Sequence, residues 1–241
     1  FHLIRELKLP IFHGTSNDIA NELHDRILGL FNKIKSKIST KDNEFFLALS
    51  GGLDSSYLLE KSRHAKFELT SCTIKMPGSL DAGLAKKLSK KINLKHFEIK
   101  IDKNKMIKAL HTSPIVSEDW RDFNVHCGAI NLLIGRHISN KFLNSNKQLF
   151  VITGDLMNEY VCDYSSEIYK GDEYYKLPEI PKVKLQKYLI NGLSTSSRED
   201  VVFSNYGINT IQPYAIVSDL YLGLNEEKLC RENIKRELNL I

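Results

Sequence analysis

The chain has 241 residues, 42% of them hydrophobic and 26% charged, which is enough to bury a sizeable core and excludes a disordered chain. Its net charge of +5, from 34 basic and 29 acidic residues, suits a nucleotide ligand and is too mild to argue for a nucleic-acid partner. No apolar run reaches the ~20 residues of a membrane span, and the opening FHLIRELKLP carries charges where a signal peptide needs an apolar core.

The four cysteines, Cys72, Cys127, Cys162 and Cys230, are far apart and form no C-x-x-C pair. That excludes a zinc knuckle or a disulfide framework and predicts reduced thiols in a cytoplasmic protein. The first residue is not Met, so the sequence is expected to be trimmed or part of a longer protein.

Residues 1–14 read as an extended N-terminal extension broken by Pro10 and Gly14, and residues 15–241 as one domain. Thr15, Ser16 and Asp18 offer helix caps, and Ile19, Leu23, Ile27, Leu30, Ile34 and Ile38 recur at helical spacing, predicting an amphipathic helix of about 20 residues. Phe45 to Leu49 reads as a buried strand. It runs through Ser50-Gly51-Gly52-Leu53-Asp54-Ser55 into a helix expected from about Ser55 to His64. Glu68 to Ile74 predicts a second strand. The turn Met76 to Asp81 then opens a helix with Ala82, Ala85, Leu88 and Ile92 inward and Lys86, Lys87, Lys90 and Lys91 on a solvated face. His96 to Ile101 predicts a third strand.

From Ser113 the pattern changes, becoming helical from about Asp122, and His126 and Cys127 are expected there as a buried packing pair. Leu149 to Thr153 predicts a fourth strand, ending in Gly154-Asp155-Leu156-Met157-Asn158-Glu159. Residues 163–200, with Tyr164, Tyr169, Tyr174, Tyr175 and Tyr188, read as irregular: either a substrate-selecting lid or a structural connection. The stretch from Ile211 to Asp219 leads into closing helices. Strands alternating with helices predict an α/β fold, a parallel sheet sandwiched by helices.

The chemistry concentrates where the first strand ends. Two glycines let the backbone bend close to a ligand, and free N–H groups at a helix start with two flanking serine hydroxyls make an anion cradle suited to phosphate. A Walker loop would place Lys and then Ser or Thr after its last glycine, and here Leu53-Asp54 stands instead. An acid beside polyphosphate implies a metal ion. The second strand end, at Gly154, is where an open α/β sheet holds its ligand, and it is expected to face the loop at Ser50.

The Ser-Gly-Gly-x-Asp-Ser pattern resembles the pyrophosphate-binding loop of the ATP pyrophosphatases, which have the adenine nucleotide alpha hydrolase-like fold and cleave ATP to AMP and pyrophosphate. Further segments, in order, resemble the synthetase domain of asparagine synthetase and its β-lactam-forming relatives. Met76 to Asp81 is similar to their PGSPD segment, His96-Phe97-Glu98 to their His-His-Glu strand, Gly154 to Glu159 to GEGADE, and Gln212-Pro213-Tyr214 with Asp219 to VPFLD.

That resemblance implies an ATP-dependent carbon–nitrogen ligase that adenylates a carboxylate and passes the acyl group to ammonia or an amine. It implies that Ser50, Gly51, Gly52 and Ser55 hold ATP phosphates, that Ile74 and Gly154 line base and ribose, and that Asp54 binds Mg²⁺. Asp155 becomes the substrate-side or base candidate, with Glu159 in support. Asn158 stands where the family has its second metal-binding aspartate, and an amide oxygen is a weaker ligand for a hard cation than a carboxylate. The family's catalytic lysine is expected beyond the segment resembling Lys228 to Arg236, and neither Lys228 nor Lys235 is assigned that role. No segment resembles the family's glutaminase domain, so nitrogen is expected from solution or from a separate glutaminase or partner subunit. Two alternatives stand beside the ligase: a catalytically incomplete nucleotide-binding subunit that needs a partner chain, and a nucleobase-modifying enzyme, against which the absence of paired cysteines and of a basic aromatic patch counts.

Overall fold

The computed structural model describes residues 16–157, 180–181, 196–222 and 228–229. In chain order the elements are α1 (Ser16–Lys37), β1 (Asn43–Ala48), α2 (Leu53–His64), β2 (Thr70–Lys75), α3 (Asp81–Lys91), β3 (His96–Lys100), α4 (Lys103–Ser117), α5 (Asp122–Lys141) and β4 (Gln148–Ile152). They continue with β5 (Ile180–Pro181), α6 (Ser196–Ser204), β6 (Ile208–Ile211), α7 (Pro213–Ile216), α8 (Ser218–Leu222) and β7 (Lys228–Leu229). The chain divides into two compact units, one of Leu28–Asp155 with Thr195–Pro213, the other of Phe1–Ile27, Leu156–Ser194 and Tyr214–Ile241.

The first unit carries a five-stranded sheet in the order β3-β2-β1-β4-β6, with every neighbouring pair parallel. β1 reads NEFFLA because a central parallel strand is covered on both faces and has no solvated side to fill with polar residues. Its pleat sends neighbouring phenylalanines opposite ways. Phe46 joins Cys72, Ile99, Leu149, Val151 and Ile208 against Ala129, Leu133, Ile134 and Ile138 of α5 and Phe203 of α6. Phe45 lies on the other face, its ring stacked on Phe150 at 5.1 Å and edge-on to Phe67 at 4.8 Å, with Phe31 of α1 5.3 Å beyond Phe67. α3 also covers that face, through Ser89 on Ser71 at 2.9 Å. The parallel sheet between helices is therefore the arrangement the alternating pattern predicts.

From β1 the chain builds outward through β2 to β3, and then returns to lay β4 on β1's other side. The carboxyl ends of β1 and β4 thus flank the topological switch point, where open α/β sheets hold ligands.

In the second unit Arg26 of α1 holds Glu22 and, from the distant α8, Asp219, each at 2.6 Å. β5 and β7 pair antiparallel there. Among the described residues no helix is long and apolar enough to cross a membrane.

Several local expectations are corrected. α4 was not legible because Pro114 sits inside it, yet the helix forms. The Asp102 carboxylate caps it by accepting from the Lys105 N–H at 2.8 Å, while Met106, Ala109 and Leu110 pack on the core. The tract expected to be irregular up to residue 200 gives way to α6 at Ser196, and the sheet gains a fifth strand, β6, beside β4. α2 begins at Leu53 rather than Ser55. The pair His126 and Cys127 is not buried: His126 is exposed and 3.5 Å from Asp122, because the inward stripe of α5 runs through Asn124, Gly128, Asn131 and Leu132. Lys86 is not simply solvated, since it meets Glu98 at 2.6 Å, with Lys75 on the same carboxylate at 2.9 Å. The Lys86 hydrogen bond, then that of Lys75, holds the Glu98 carboxyl down at about 2.

Phe46 is fully buried at the centre of the sheet and meets Phe142 edge-on at 5.3 Å. Phe46→Ala is expected to cost about 3–5 kcal/mol of stability. Urea unfolding of the two proteins measures it, and a loss under ~1 kcal/mol would contradict this packing.

Candidate functional site

β1 ends with Leu49 still paired, its N–H donating to the Cys72 carbonyl at 2.9 Å. The chain then turns at Gly51, whose φ of +88° is a left-handed conformation that favours glycine. A Cβ there would also lie 2.9 Å from the Leu84 Cβ and 3.0 Å from the Asp81 carbonyl oxygen. Helix α3 is thus pressed against the loop, and this position admits glycine alone. Gly52 is the N-cap of α2 and supplies no side chain to cap it. The first-turn N–H groups and the positive end of the helix dipole are therefore left for another acceptor.

The two serines that flank the glycines hold the loop to itself. Their hydroxyl oxygens are 3.0 Å apart. The Ser50 N–H donates to Ser55 Oγ at 3.2 Å, and the Gly52 N–H donates to Ser50 Oγ at 3.1 Å. Ser55 Oγ donates in turn to the Gly52 carbonyl at 3.3 Å. Ser50 is exposed and Ser55 buried, so the loop has one hydroxyl at its mouth and one in its base. Asp54 is half-buried in the first turn of α2.

The end of β4 comes up against this loop as the topology requires. A Cβ on Gly154 would lie 3.0 Å from the Ser55 nitrogen and 3.3 Å from the Asp54 carbonyl carbon. Both obstacles are backbone, so no rotamer change relieves them. Ile74, on β2, is half-buried and packs against the core on the α5 side of the sheet. Ser50, Gly51, Gly52, Asp54, Ser55, Gly154 and Asp155 are brought together; Asn158 and Glu159 lie outside the described residues, as do residues 163–179 and 182–195 and Lys235.

Next to Gly154 the structure reveals a buried polar cluster that sequence reasoning missed. Arg198 of α6 is 1% exposed, and its Nη2 donates to Asp155 Oδ2 at 2.8 Å. Its Nη1 donates to Asn124 Oδ1 of α5 at 2.6 Å, while its Nε is buried with no partner among the described residues. Glu199, fully buried beside it, accepts from Thr153 Oγ1 at 2.5 Å, from Gln212 Nε2 at 2.9 Å and, more distantly, from Asn131 Nδ2 at 3.5 Å. Burial pushes the Glu199 carboxyl well above its usual range, and the Asp155 carboxylate, hydrogen-bonded to it, raises it further.

Burial and the neighbouring Asp155 carboxyl thus both favour the proton-bound form of Glu199, while Arg198 donates to Asp155 from the other side. Asp155 alone of the three reaches solvent, with its side chain 37% exposed. A signal for this cluster was present in the sequence. Ser196 and Glu199 stand at the S-x-x-E spacing of a capping box, which marks a helix start within the tract read as irregular.

The family model for asparagine synthase matches residues 33–170, more than half of the chain, and the chain belongs to the asparagine synthase family. That membership places it among ATP-using synthetases of the ligase type. Similar solved structures include NMN synthetase from Francisella tularensis, at 15% identity over 92% of this chain and 93% of that one, with a TM-score of 0.43. The NH3-dependent NAD synthetase from Campylobacter jejuni, in complex with the nitrate ion, is 20% identical over 70% of this chain and 73% of its own, with a TM-score of 0.37. The U34-tRNA thiolase NcsA from Methanococcus maripaludis, with its 4Fe-4S cluster, is 11% identical over 92% and 62%, with a TM-score of 0.40. No curated protein sequence matches the chain.

Gly154→Ala is expected to destabilise the protein by about 1–3 kcal/mol, because the methyl meets backbone in the first turn of α2. A stability equal to wild type in urea would show that the two strand ends do not meet this closely. Glu199 gives a pH test. A carboxyl whose folded pKa is raised binds its proton more tightly when folded, so the stability it contributes is complete below the ordinary value of 4.5 and is lost as pH rises through its folded value. As pH rises from 4.5 through that folded value, wild type should lose stability relative to Glu199→Gln, which stays neutral; parallel stability–pH curves would mean that folding does not raise the Glu199 carboxyl.

Proposed function

We propose that the protein is an ATP-dependent, AMP-forming amide ligase, its activity carried by residues 15–241. The observation behind this reading is the meeting of an uncapped helix start at Gly52 with Gly154 and Asp155 at the sheet's switch point, in a chain of the asparagine synthase family. The Ser50 and Ser55 hydroxyls and the first-turn N–H groups of α2 hold the ATP phosphates, Gly51 and Gly52 let the backbone come close, and Ile74 and Gly154 line base and ribose.

Mg²⁺ suits this donor set, because it is commonly held by one or two carboxylates together with substrate phosphates and keeps several waters. Among the described residues no group of three or more His, Cys, Asp or Glu forms a metal cage, so Asp54, with Asn158, would hold it through the nucleotide. Bound there, it would neutralise charge on the phosphates.

In the first step a substrate carboxylate oxygen attacks the α-phosphorus and pyrophosphate leaves, giving an acyl-adenylate. In the second an amine or ammonia attacks the acyl carbon, AMP leaves with the bonding pair, and the nitrogen loses a proton. Backbone donors fixed at the α2 start stabilise charge on the departing pyrophosphate without reorganising. Asp155 takes the amine proton or orients the acceptor, with Glu159 in support and Arg198 fixing its carboxylate from behind. Ammonia comes from solution or a separate glutaminase subunit.

A second reading, a nucleotide-binding subunit that works only with a partner chain, is favoured by the amide at Asn158 where a relative carries an acid. Mass-spectrometric detection of AMP from ATP and Mg²⁺ with pooled carboxylates, with and without ammonia, separates the two. The ligase gives AMP that depends on one carboxylate pool, and Asp54→Ala lowers it at least about a thousandfold while the fold persists. ATP binding with no AMP from any pool supports the partner-dependent subunit, and unchanged turnover in Asp54→Ala removes the assignment of Asp54.

A further inference from the structure

A cavity of about 440 Å³ lies between β3, α4 and α5, and neither the Ser50–Ser55 loop nor Gly154 or Asp155 lines it. Its volume falls in the range of small-molecule sites, about 300–1,000 Å³. The floor is apolar, built from Ile99, Ala109 and Leu133, which belong to the core beneath. The rim carries Lys100, Lys105, Lys108 and Arg136, and no acidic residue is among the described lining residues.

Those cations are not spent elsewhere. Lys105 meets Asp102 only at 3.8 Å, with both side chains more than half exposed, where an ion pair is weak. Lys100, Lys108 and Arg136 form no ion pair among the described residues, whereas Lys75, Lys86 and Lys147 in the same unit each hold a carboxylate. Tyr206 and His137 also line the cavity, and His137 Nε2 is buried without a hydrogen-bond partner among the described residues.

From this arrangement we infer that the β3–α4–α5 cavity binds a small organic anion, an apolar body carrying a carboxylate or a phosphate monoester. The body lies on Ile99, Ala109 and Leu133, and the head group meets Lys108 and Arg136. The site is separate from the nucleotide loop and does not depend on the ligase reading.

The test uses the full chain and two dyes that share one aromatic body: 8-anilinonaphthalene-1-sulfonate, which is anionic, and N-phenyl-1-naphthylamine, which is neutral. The sulfonate should bind saturably, and at least about tenfold more tightly than the neutral dye. The pair Lys108→Gln and Arg136→Gln, both exposed, should weaken it by about tenfold or more at an unchanged melting temperature. Octanoate and octyl phosphate are the competitors, and the better one identifies the head group. Equal affinity for the two dyes, no effect of the charge substitutions, or displacement by neither competitor overturns the inference. Should the variants fail to fold, the wild-type His137 ring resonances serve instead: they move on octanoate or octyl phosphate titration if the site is real, and stay fixed for both if it is not.

Discussion

The parallel pairing of β1 with β4 is the constraint on which the rest of the site depends. Register from Asn43 on Gln148 to Leu47 on Ile152 carries both strands to the same end of the sheet, so the turn at Gly51 and the turn at Gly154 arrive side by side. The contact between them is backbone on backbone, and a single Cβ at Gly154 would push it apart. Two strands that pair over their whole length thereby position an anion cradle against a carboxylate more closely than either loop could alone. The β1–β4 neighbourhood exists only because the chain reverses its direction of travel across the sheet after β3.

Asp155 is then set by side chains of two helices, α5 and α6, rather than by its own loop. Arg198 from α6 reaches it, Asn124 from α5 fixes Arg198, and Glu199 hydrogen-bonds it from the interior. A buried guanidinium is tolerable only with such partners, and a buried carboxyl beside another is driven toward its protonated form. The cluster therefore packs a guanidinium, the Asp155 carboxyl and a second carboxyl with a raised pKa into the end of β4. Such a group costs folding energy and holds one exposed carboxylate in a fixed place, a trade expected of a site rather than of a scaffold.

Charge is distributed unevenly over the sheet unit, and net charge alone conceals this. Glu98 takes up both Lys75 and Lys86, and Glu44 takes up Lys147. At the β3–α4–α5 cavity, by contrast, Lys100, Lys108 and Arg136 stand around an apolar floor. An anion approaching the chain thus meets two different environments. At the Ser50 loop the donors are backbone and hydroxyl, suited to phosphate held by many short hydrogen bonds, while at the cavity they are long, mobile cationic side chains around hydrocarbon.

The sequence by itself determined what local periodicity and motif spacing can carry. The buried strands at Phe45 and Leu149, the alternation that makes the sheet parallel, the loop from Ser50 to Ser55 and the family follow from residues close together in the chain. What only the tertiary structure decided depends on residues far apart. α4 forms across Pro114 because its cap and core contacts outweigh the lost hydrogen bond, which no propensity reveals. β6 is too short to stand out and is a strand because β4 offers it an edge. His126 faces water and Asn124 faces inward because α5's register against α6 chose the stripe, since both readings were open to the amphipathic pattern. Arg198 and Glu199 carry no site motif, only the capping-box spacing of Ser196 and Glu199, which marks a helix start. They become part of the site through separations of 43 and 46 residues from Asp155 and Thr153, and a chain read in order cannot register contacts that folding alone creates.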